Sequence, residues 1–563
     1  MTAEFPTAFI LLVGAAFVPL FRGKARSAYL LLLPVLAFAH VLVLPHGEFG
    51  HYVLAGQDLV AMHVDRLSLL FAYVFLIAAF ICAIYALHLK DTMQHMAALV
   101  YAGSALGAIF AGDFITAFIF WEISAVASVL LVWAARSEHA YRSGMRYLLV
   151  QLTSGMLLLV GAMLHASESG SLRFDFVGLE TTGSYIMLAA MGIKCAFPFL
   201  HNWLQDAYPE STPTGTVLLS AFTTKIGIYS LARAFPGTEE LIWIGATMAA
   251  FPIFYAVIEN DLRRVLAYSL NNQLGFMVVG IGIGTELALN GAVAHAFADI
   301  IFKGLLFMAM GAVLLRVGTV KGSELGGLYK SMPWTTGFCI VGAASISAFP
   351  LFSGFVTKSM IMTAAAGEGH IGVWLVLLFA SAGVFHHAGI KIPYFAFFAH
   401  DSGKRCEEAP RNMLIAMAIA AALCIAIGTL PALFYQLLPY TATYEPYTAS
   451  HVVDQMQLLV FSALAFAVLM RTGIYPPELR SVNIDFDWSY RRLAPALTAC
   501  IARVISAVLA TLGTWVTLRG RGFMARLYRH HGPTGILART WPTGSMALWV
   551  MVMLLAYLVL YYI

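Results

Sequence analysis

The stretch ALNGAVAHAFADIIFKGLLFMAMGAVLLR, residues 288–316, is almost entirely apolar, yet it contains His295, Asp299 and Lys303. About 20 apolar residues are enough for a helix to cross a bilayer, so this stretch indicates a transmembrane helix. The three ionisable residues are each four positions from the next and therefore share one helix face. Because ionisable side chains inside a membrane are costly and usually functional, the stretch predicts a membrane fold with a buried polar site.

The composition of the whole chain also indicates a membrane protein. Of the 563 residues 60% are hydrophobic and 11% are charged, with a mean hydropathy of +0.81, whereas soluble domains have about 25% charged residues. The net charge of +4 does not favour nucleic-acid binding. The six cysteines have no Cys-x-x-Cys spacing, and Rossmann and Walker motifs are absent from the sequence. We therefore expect neither a cofactor nor a metal site.

Apolar runs recur along the chain and predict an all-α polytopic membrane protein with about sixteen transmembrane helices. Loops rich in lysine and arginine fall on alternate connections, which predicts that they face the cytoplasm and that the N-terminus lies outside. The predicted spans are 7–20, 27–45, 67–88, 96–112, 114–134, 146–165, 184–204, 213–234, 239–258, 265–283, 288–316, 335–365, 372–398, 413–434, 456–471 and 543–562.

A short repeated sequence predicts an internal repeat. Residues 196–198 and residues 348–350 both read Ala-Phe-Pro, 152 positions apart (350 minus 198), in the seventh and twelfth spans. Each span would be the fourth helix of a five-helix unit, and an odd number of helices makes successive units insert in opposite orientations. Each proline breaks its helix, which is tolerated in a membrane only where the backbone is buried or lines a wet cavity. The predicted regions are N-terminal helices at 1–95, a first inverted repeat at 96–235, a second at 236–400 and C-terminal helices at 401–563.

The C-terminal region departs from the spanning pattern. Residues 493–516 are long enough to span, but Arg503 at their centre would cost roughly 2.5–3.5 kcal/mol in the bilayer. Spanning would also place the arginines between 519 and 539 on the outer face. We therefore predict a lateral amphipathic helix at about 485–530 on the cytoplasmic interface, followed by a final transmembrane anchor.

Further ionisable residues lie well inside the predicted spans. They join His295, Asp299 and Lys303 as candidate site residues and are Glu122, Lys194, Lys225, Lys358 and Lys391. A lysine in a low-dielectric site has a lowered pKa, and an adjacent carboxylate raises it again. Separating a carboxylate–lysine pair therefore releases a proton, and closing it captures one. A row of such groups would move protons without a cofactor.

Some of these residues have a simpler interpretation. Buried charges can join helices as salt bridges, and Asp299–Lys303 has the spacing of an ordinary i,i+4 pair. The adjacent residues His386 and His387 are weaker candidates for the relay. Asp113 and Arg146 lie at span ends, where we expect them to be solvated.

Several stretches resemble the antiporter-like subunits shared by Mrp-type Na⁺/H⁺ antiporters, respiratory complex I and membrane-bound hydrogenases. AGIKIPYFAFF (388–398), together with a lysine rather than a glutamate at position 358, is most similar to the Mrp D-type subunit. The other matching stretches are FIFWEISAV (118–126), RYLLVQLTSG (146–155), GIKCAFPFLHNWLQDAYPESTPTGTVLLSAFTTKIGIYSLA (192–232), DLRRVLAYSLNNQLGF (261–276), HAFADIIFKGLLF (295–307) and SAFPLFSGFVTKSMI (347–361).

The resemblance implies specific roles for most of the candidate residues. Glu122 and Lys194 would form the controlling ion pair of a first half-channel, and Lys225 would pass protons to the centre. A central connection would be formed by His295 and Lys303, and a second half-channel would end at Lys358. Lys391 is a relay candidate because it is an ionisable residue inside the thirteenth predicted span. Where the family usually has a second histidine, this chain has Asp299. An aspartate there would either hold Lys303 charged more firmly or help to select a cation.

We predict a proton-translocating subunit of a multisubunit Mrp-type monovalent cation (Na⁺)/H⁺ antiporter in the bacterial inner membrane, a secondary transporter and not an enzyme. Its lateral helix would clamp neighbouring subunits, so other subunits of the complex are the expected partners. The alternative is a proton-pumping membrane-arm subunit of a complex I-like NADH dehydrogenase or of a membrane-bound hydrogenase. A relative coupled to bicarbonate or CO₂ uptake and a purely structural scaffold are further alternatives.

Overall fold

The computed structural model describes residues 5–54, 56–479 and 483–563. The chain divides into two compact units, residues 1–483 and residues 484–563. Helices form most of both units. Those of the first unit are α1 (Ala8–Phe17), α2 (Gly23–Leu42), α3 (Arg66–Tyr85), α4 (Thr92–Phe110), α5 (Phe114–Trp133), α6 (Glu138–Ser169), α7 (Thr182–Lys194), α8 (Asn202–Ala207), α9 (Gly215–Ala221), α10 (Thr223–Ala234), α11 (Glu239–Ile258), α12 (Leu262–Ile283), α13 (Glu286–Val317), α14 (Pro333–Ile346), α15 (Ser353–Gly367), α16 (Ile371–Val384), α17 (Lys391–Pro393), α18 (Arg411–Thr429), α19 (Pro431–Tyr435) and α20 (Ala449–Thr472).

The described helices confirm a multi-pass, all-α membrane fold. Within the described residues, twelve helical stretches are each long and apolar enough to cross a membrane. Eleven of them coincide with predicted spans, and the twelfth covers the predicted lateral helix. The other predicted spans are also helical, but they are short, broken or less apolar, and they correspond to α1, α7 with α8, α9 with α10, α12, and α14 with α15. The count of sixteen, the inversion of the repeats and the region boundaries remain predictions.

A two-stranded hairpin occupies a connection that the sequence did not indicate as a strand pair. β1 (Gly47–Leu54) and β2 (Gln57–Val64) are antiparallel, with Gly47 opposite Val64. The hairpin is anchored by Asp113, which caps α5 by accepting from Thr116 N at 2.7 Å and also accepts from Val60 N at 2.9 Å. Asp113 is only 1% exposed, so the expectation that it is solvated was wrong. These two backbone donors and the hydroxyl of Thr116, which donates to Asp113 at 2.7 Å, replace the water that a span end would otherwise supply.

Both Ala-Phe-Pro sequences break their helices in the same way. Ala196 and Ala348 have φ of +59° and +56°, and Phe199 and Leu351, three positions later, have φ of +70° and +76°. The hydrogen bonds match as well. Phe197 N donates to Gly192 O at 2.9 Å, and at the same 152-residue offset Phe349 N donates to Ala344 O at 3.0 Å. Left-handed backbone at four non-glycine positions is uncommon, so the match supports the predicted repeat more strongly than the three shared residues do.

Small residues bring the helices that follow the first break into close contact. A Cβ atom placed on Gly245 of α11 would lie 2.6 Å from Val279 N of α12. Close backbone approach through glycine is the usual way in which membrane helices pack tightly. The helices α11 and α12 are therefore closely packed and form one wall of the site described below. Helix α12 carries some of the side chains of that site.

The second unit contains two helices, α21 (Ala494–His531) and α22 (Thr543–Tyr562). The 38 residues of α21 correspond to a length of about 57 Å at 1.5 Å per residue. The hydrocarbon core of a bilayer is only about 30 Å thick. The length of α21 and the arginine within it, Arg503, are therefore compatible with the predicted lateral position, which remains a prediction.

Candidate functional site

Lys194 is the last residue of α7, immediately before the first break, and it is completely buried. Its ammonium donates to Ser124 Oγ at 3.3 Å and to Trp121 O at 3.5 Å, and it lies 4.1 Å from the centre of the Trp121 ring. The indole is itself fixed, because its N–H donates to Ser154 Oγ at 3.2 Å. A cation over an indole face is stabilised by the electrons of the ring. At the end of α7, Lys194 thus places its ammonium against the indole ring of Trp121 on α5.

Glu122 follows Trp121 on α5, but Lys194 contacts α5 at the residues on either side of this carboxylate. Its Oε1 atom is buried and accepts no hydrogen bond. The carboxylate occupies the space that a side chain at Gly155 of α6 would fill. The structure therefore places Glu122 and Lys194 on the same stretch of α5 without closing the predicted pair, which remains a prediction.

Lys225 and Asp299 form the closest ion contact of the site. Lys225 Nζ lies 2.6 Å from Asp299 Oδ2, and both side chains have 0% exposure. This approach is an ion contact rather than an aligned hydrogen bond, since none of the described residues donates to Asp299 in hydrogen-bonding geometry. Lys225 also donates to Ser220 O at 3.0 Å, a carbonyl that the interruption between α9 and α10 leaves available. The pair joins α10 to α13 across the centre of the first unit.

The spacing of the residues suggested a different partner for Asp299. Lys303, one turn further along α13, directs its ammonium to Leu266 O of α12 at 3.5 Å. The i,i+4 pairing is therefore not the shortest contact of Asp299, which turns toward α10 instead. Asp299 lies between two buried lysines, and this position could not be deduced from the spacing alone.

His295 is held between two helices. Its Nδ1 lies 3.0 Å from Thr357 Oγ1 of α15, and its Nε2 lies 3.0 Å from Gln273 Oε1 of α12. All three side chains are completely buried. His295 thus connects the wall formed by α11 and α12 to the broken helix that carries Lys358.

Lys358 follows the second break, in the second turn of α15. Its ammonium donates to Ile346 O at 3.2 Å and lies 4.9 Å from the centre of the Phe276 ring. Ile346 is the last residue of α14, so the break supplies the free carbonyl. Lys358 also lines a cavity of about 520 Å³ whose other polar walls include His451 and Asp454 at the start of α20.

Lys391 has contacts of a different kind. Its ammonium donates to Val257 O and Glu259 O, both at 2.7 Å, and to Ala256 O at 3.2 Å, and it lies 2.9 Å from Glu478 Oε1. These carbonyls end α11, so Lys391 caps a helix C-terminus while paired with a carboxylate. Such saturated contacts are typical of a structural residue, and its part in the relay remains a prediction. The neighbouring His386 and His387 lie in a π-helical turn, Phe385–Ile390.

One ion pair next to the site was not expected from the sequence. Arg146 contacts Asp206 of α8 with two hydrogen bonds, at 2.7 and 3.0 Å, although we expected Arg146 to be solvated.

In the part of the chain that the structure describes, no three His, Cys, Asp or Glu side chains are grouped as metal ligands would be.

Residues 111–385 match the family described as "NADH:quinone oxidoreductase/Mrp antiporter, TM". This range includes every candidate residue except Lys391. The chain is 27% identical over 423 residues to hydrogenase-4 component B of Escherichia coli, covering 66% of this chain and 62% of that protein. It is 31% identical over 309 residues to the D-type subunit of the Na⁺/H⁺ antiporter of Alkalihalophilus pseudofirmus, covering 50% of this chain and 62% of that protein.

A solved Mrp complex from Dietzia has a similar fold. Its matching chain superposes with a TM-score of 0.77 at 22% identity, covering 92% of this chain and 62% of the other. The chain thus spans less than two thirds of the length of these relatives. At this identity the structural likeness shows the fold alone.

Proposed function

Because this chain belongs to the NADH:quinone oxidoreductase/Mrp antiporter family of antiporter-like membrane subunits, we propose that it is the proton-translocating subunit of a multisubunit Mrp-type monovalent cation/proton antiporter. The proposed cation is Na⁺, which the name of the Alkalihalophilus relative includes. The proposed location is the bacterial inner membrane, and the proposed partners are the other subunits of the complex.

The observation that carries this proposal is an excess of buried positive charge. Lys194, Lys225 and Lys303 have 0% exposure, and Lys358 has 2%. We call these four lysines, together with His295, Glu122 and Asp299, the buried line. Among its described residues, the only carboxylates are Glu122 and Asp299. Two carboxylates cannot neutralise four ammonium groups, and an unpaired buried charge is costly. We infer that some of these lysines are neutral for part of the time and exchange protons, a property that salt bridges built only for helix packing would not need.

The described contacts suggest how such an exchange would proceed. The Lys225–Asp299 contact is closed, whereas Lys194 rests on Trp121 and Ser124 beside Glu122. When Lys194 moves to Glu122, its proton is held more firmly, and when it returns to the indole, the proton is released more easily. Asp299 would do the same for whichever of Lys225 and Lys303 it contacts. Proton movement is then a series of changes of partner along one line.

Buried polar side chains near the line support a hydrated path. Buried polar atoms in proteins nearly always have a hydrogen-bond partner, which is often water. Thr224 precedes Lys225, Gln205 lies on α8 just after the first break, and Asn271 is two residues before Gln273. The side-chain polar atoms of all three are buried and have no hydrogen-bond partner in the part of the chain that the structure describes. Water at these positions would connect groups that lie too far apart for direct transfer.

A second candidate function is favoured by the similarity to hydrogenase-4 component B. In that case the same line would belong to the proton-pumping arm of a redox complex, and electron transfer would occur in other subunits. The two functions differ in what drives the protons. A monovalent cation gradient would drive them in the antiporter, and electron transfer in the redox complex.

The proposed function is tested by Na⁺/H⁺ exchange in everted membrane vesicles that contain the intact complex. We expect Na⁺ to dissipate a preformed ΔpH in the wild type, and we expect Lys225→Ala and Glu122→Ala to abolish this response. The matched control is Lys321→Gln, since Lys321 is a lysine with a side chain 51% exposed, outside the line. Immunodetection of the protein in each vesicle preparation checks its assembly.

The outcomes separate the two functions. An absent Na⁺ response in the wild type, together with a ΔpH formed on addition of a reductant, would overturn the antiporter proposal in favour of the redox complex. Wild-type exchange in both Lys225→Ala and Glu122→Ala would overturn the relay.

A further inference from the structure

Gln273 holds His295 in one orientation. Asn272 donates through its amide to Ala249 O, an atom that can only accept. Asn272 Oδ1 must then accept, and Gln273 Nε2 donates to it at 2.6 Å. Gln273 Oε1 is left to face His295 Nε2 at 3.0 Å. Because a carbonyl oxygen can only accept, His295 carries a proton on Nε2 in both of its common states.

The other ring nitrogen faces a hydroxyl with two possible acceptors. Thr357 Oγ1 lies 3.0 Å from His295 Nδ1 and 3.1 Å from Ser353 O, one turn earlier on α15. A hydroxyl has one proton, so it can donate to only one of these atoms at a time. When the imidazole is neutral, Thr357 donates to Nδ1. When Nδ1 is protonated, it donates to Thr357 Oγ1, and the hydroxyl turns to donate to Ser353 O.

We propose that Thr357 is a positioning residue that keeps both protonation states of His295 hydrogen-bonded, so that this histidine can gain and lose a proton within the buried line. The inference rests on the proposed function and adds a residue to it. The net change between the two states is one proton on Nδ1, and the rotation of the hydroxyl needs no movement of the backbone. Thr357 immediately precedes Lys358 on α15, so the rotation of its hydroxyl occurs next to this lysine.

The charged groups around His295 give a reason why both of its protonation states need a hydrogen-bond partner. The buried lysines of the helices around His295 are Lys225 of α10, Lys303 of α13 and Lys358 of α15, and Asp299 lies one turn from His295 on α13. Three nearby lysines oppose a proton on the imidazole unless one of them has given up its own. A hydroxyl that accepts from protonated Nδ1 supports the charged state at the moment when a lysine passes its proton on.

The test compares three variants of the intact complex. Thr357→Val removes the hydroxyl but keeps the shape of the side chain, and Thr357→Ser restores a hydroxyl. The matched control is Thr336→Val on α14, because Thr336 is buried and its hydroxyl also donates to the carbonyl four residues earlier, Met332 O, at 2.8 Å. The first readout is the initial rate of Na⁺-driven ΔpH dissipation at a series of pH values.

We expect Thr357→Val to lower the rate roughly tenfold, with a changed dependence on pH, since Nδ1 then lacks a partner in either state. Thr357→Ser should recover most of the rate, and Thr336→Val should match the wild type. The proposal is overturned if Thr357→Val keeps the pH profile of the wild type, whatever its rate, or if Thr357→Ser does not rescue. An unchanged pH profile at a lower rate would indicate a packing role.

A second measurement does not depend on transport. Infrared difference spectra of the purified complex with isotope-labelled histidine report the hydrogen bonds of the imidazole. His295→Gln identifies the band of His295. Thr357→Val should shift this band, and Thr336→Val should not. An unshifted band contradicts the role of Thr357, whereas the absence of exchange in the wild type with a shifted band contradicts only the antiporter function.

Discussion

Lys194 and Lys358 lie beside helix breaks with the same backbone geometry, but on opposite sides of them. Lys194 is the last residue before its break, and at the 152-residue offset its position is taken by Ile346. Lys358 follows its break, and its position in the first half is taken by Asp206. The ammonium of Lys358 binds the free carbonyl of Ile346, whereas Lys194 turns away to the indole of Trp121.

The surroundings of the two breaks also differ. Asp206 is tied to Arg146 by two hydrogen bonds, which closes the first break on the α6 side. At the corresponding place of the second break, Lys358 lines a cavity of about 520 Å³ with His451 and Asp454. The same backbone geometry therefore occurs in two settings. We call the break beside the Arg146–Asp206 pair the closed end and the break beside the cavity lined by Lys358 the open end. The two breaks share a backbone geometry, and the side chains beside them differ. In the proposed relay, the open end, beside the cavity, would exchange protons with the surroundings.

The largest expected effect is at the open end. Lys358→Met removes an ammonium that contacts no carboxylate among the described residues, so the free energy of unfolding should change by less than about 1.5 kcal/mol, as for a volume-conserving substitution. Exchange should nevertheless fall by at least about 10²-fold, the usual contribution of a positioned proton donor. Rates in everted vesicles and the melting temperature of the purified complex measure the two effects. Retention of the wild-type rate would show that Lys358 is not the end of the relay.

A smaller effect is expected where Glu122 packs. Gly155→Ala places a methyl group where the Glu122 carboxylate lies, so the carboxylate must move relative to Lys194. We expect exchange to fall roughly threefold to tenfold, the consequence of about 1 kcal/mol of mispositioning. Gly337→Ala on α14 is the control, because a Cβ there meets no atom within 4 Å. Equal rates for the two variants would mean that the position of Glu122 is unimportant.

The smallest effect is expected at the closed end. Arg146→Ala removes the two hydrogen bonds that Arg146 donates to Asp206, whose side chain is 8% exposed. Since the Arg146 side chain is 34% exposed, solvent screens the pair, and we expect a loss of only about 1–2 kcal/mol in the free energy of unfolding. Thermal unfolding of the purified complex measures this loss. A loss of exchange larger than that of Lys358→Met would contradict the assignment of this end as closed.

The sequence located the buried lysines correctly because their cost in lipid is visible without knowing any contact. Lys194, Lys225, Lys303 and Lys358 were predicted inside spans, and all four are buried. The two helix breaks were also predicted, since proline cannot continue a helix. The family match covers all four positions.

Contacts between helices could not be predicted in the same way. Spacing along α13 pairs Asp299 with Lys303, whereas the structure pairs Asp299 with Lys225, because the direction of a side chain depends on its rotamer and on the neighbouring helix. The contact of Asp113 with Val60 N and the contact of Lys391 with Val257 O were missed for a similar reason. Each joins groups more than 50 positions apart in the chain. The sequence had suggested solvation for Asp113 and proton transfer for Lys391.

The central claim is that the Lys225–Asp299 pair moves protons and does not merely join α10 to α13. Replacing a buried ion pair by apolar residues of similar volume is often neutral or stabilising, whereas removing one partner costs about 3–5 kcal/mol. The combined variant Lys225→Met with Asp299→Leu should therefore assemble and melt like the wild type, while Asp299→Leu alone should be unstable. The deciding measurement is Na⁺/H⁺ exchange in vesicles that contain the assembled double variant. We predict that exchange is lost. Exchange at the wild-type rate would contradict a role of the Lys225–Asp299 pair in moving protons.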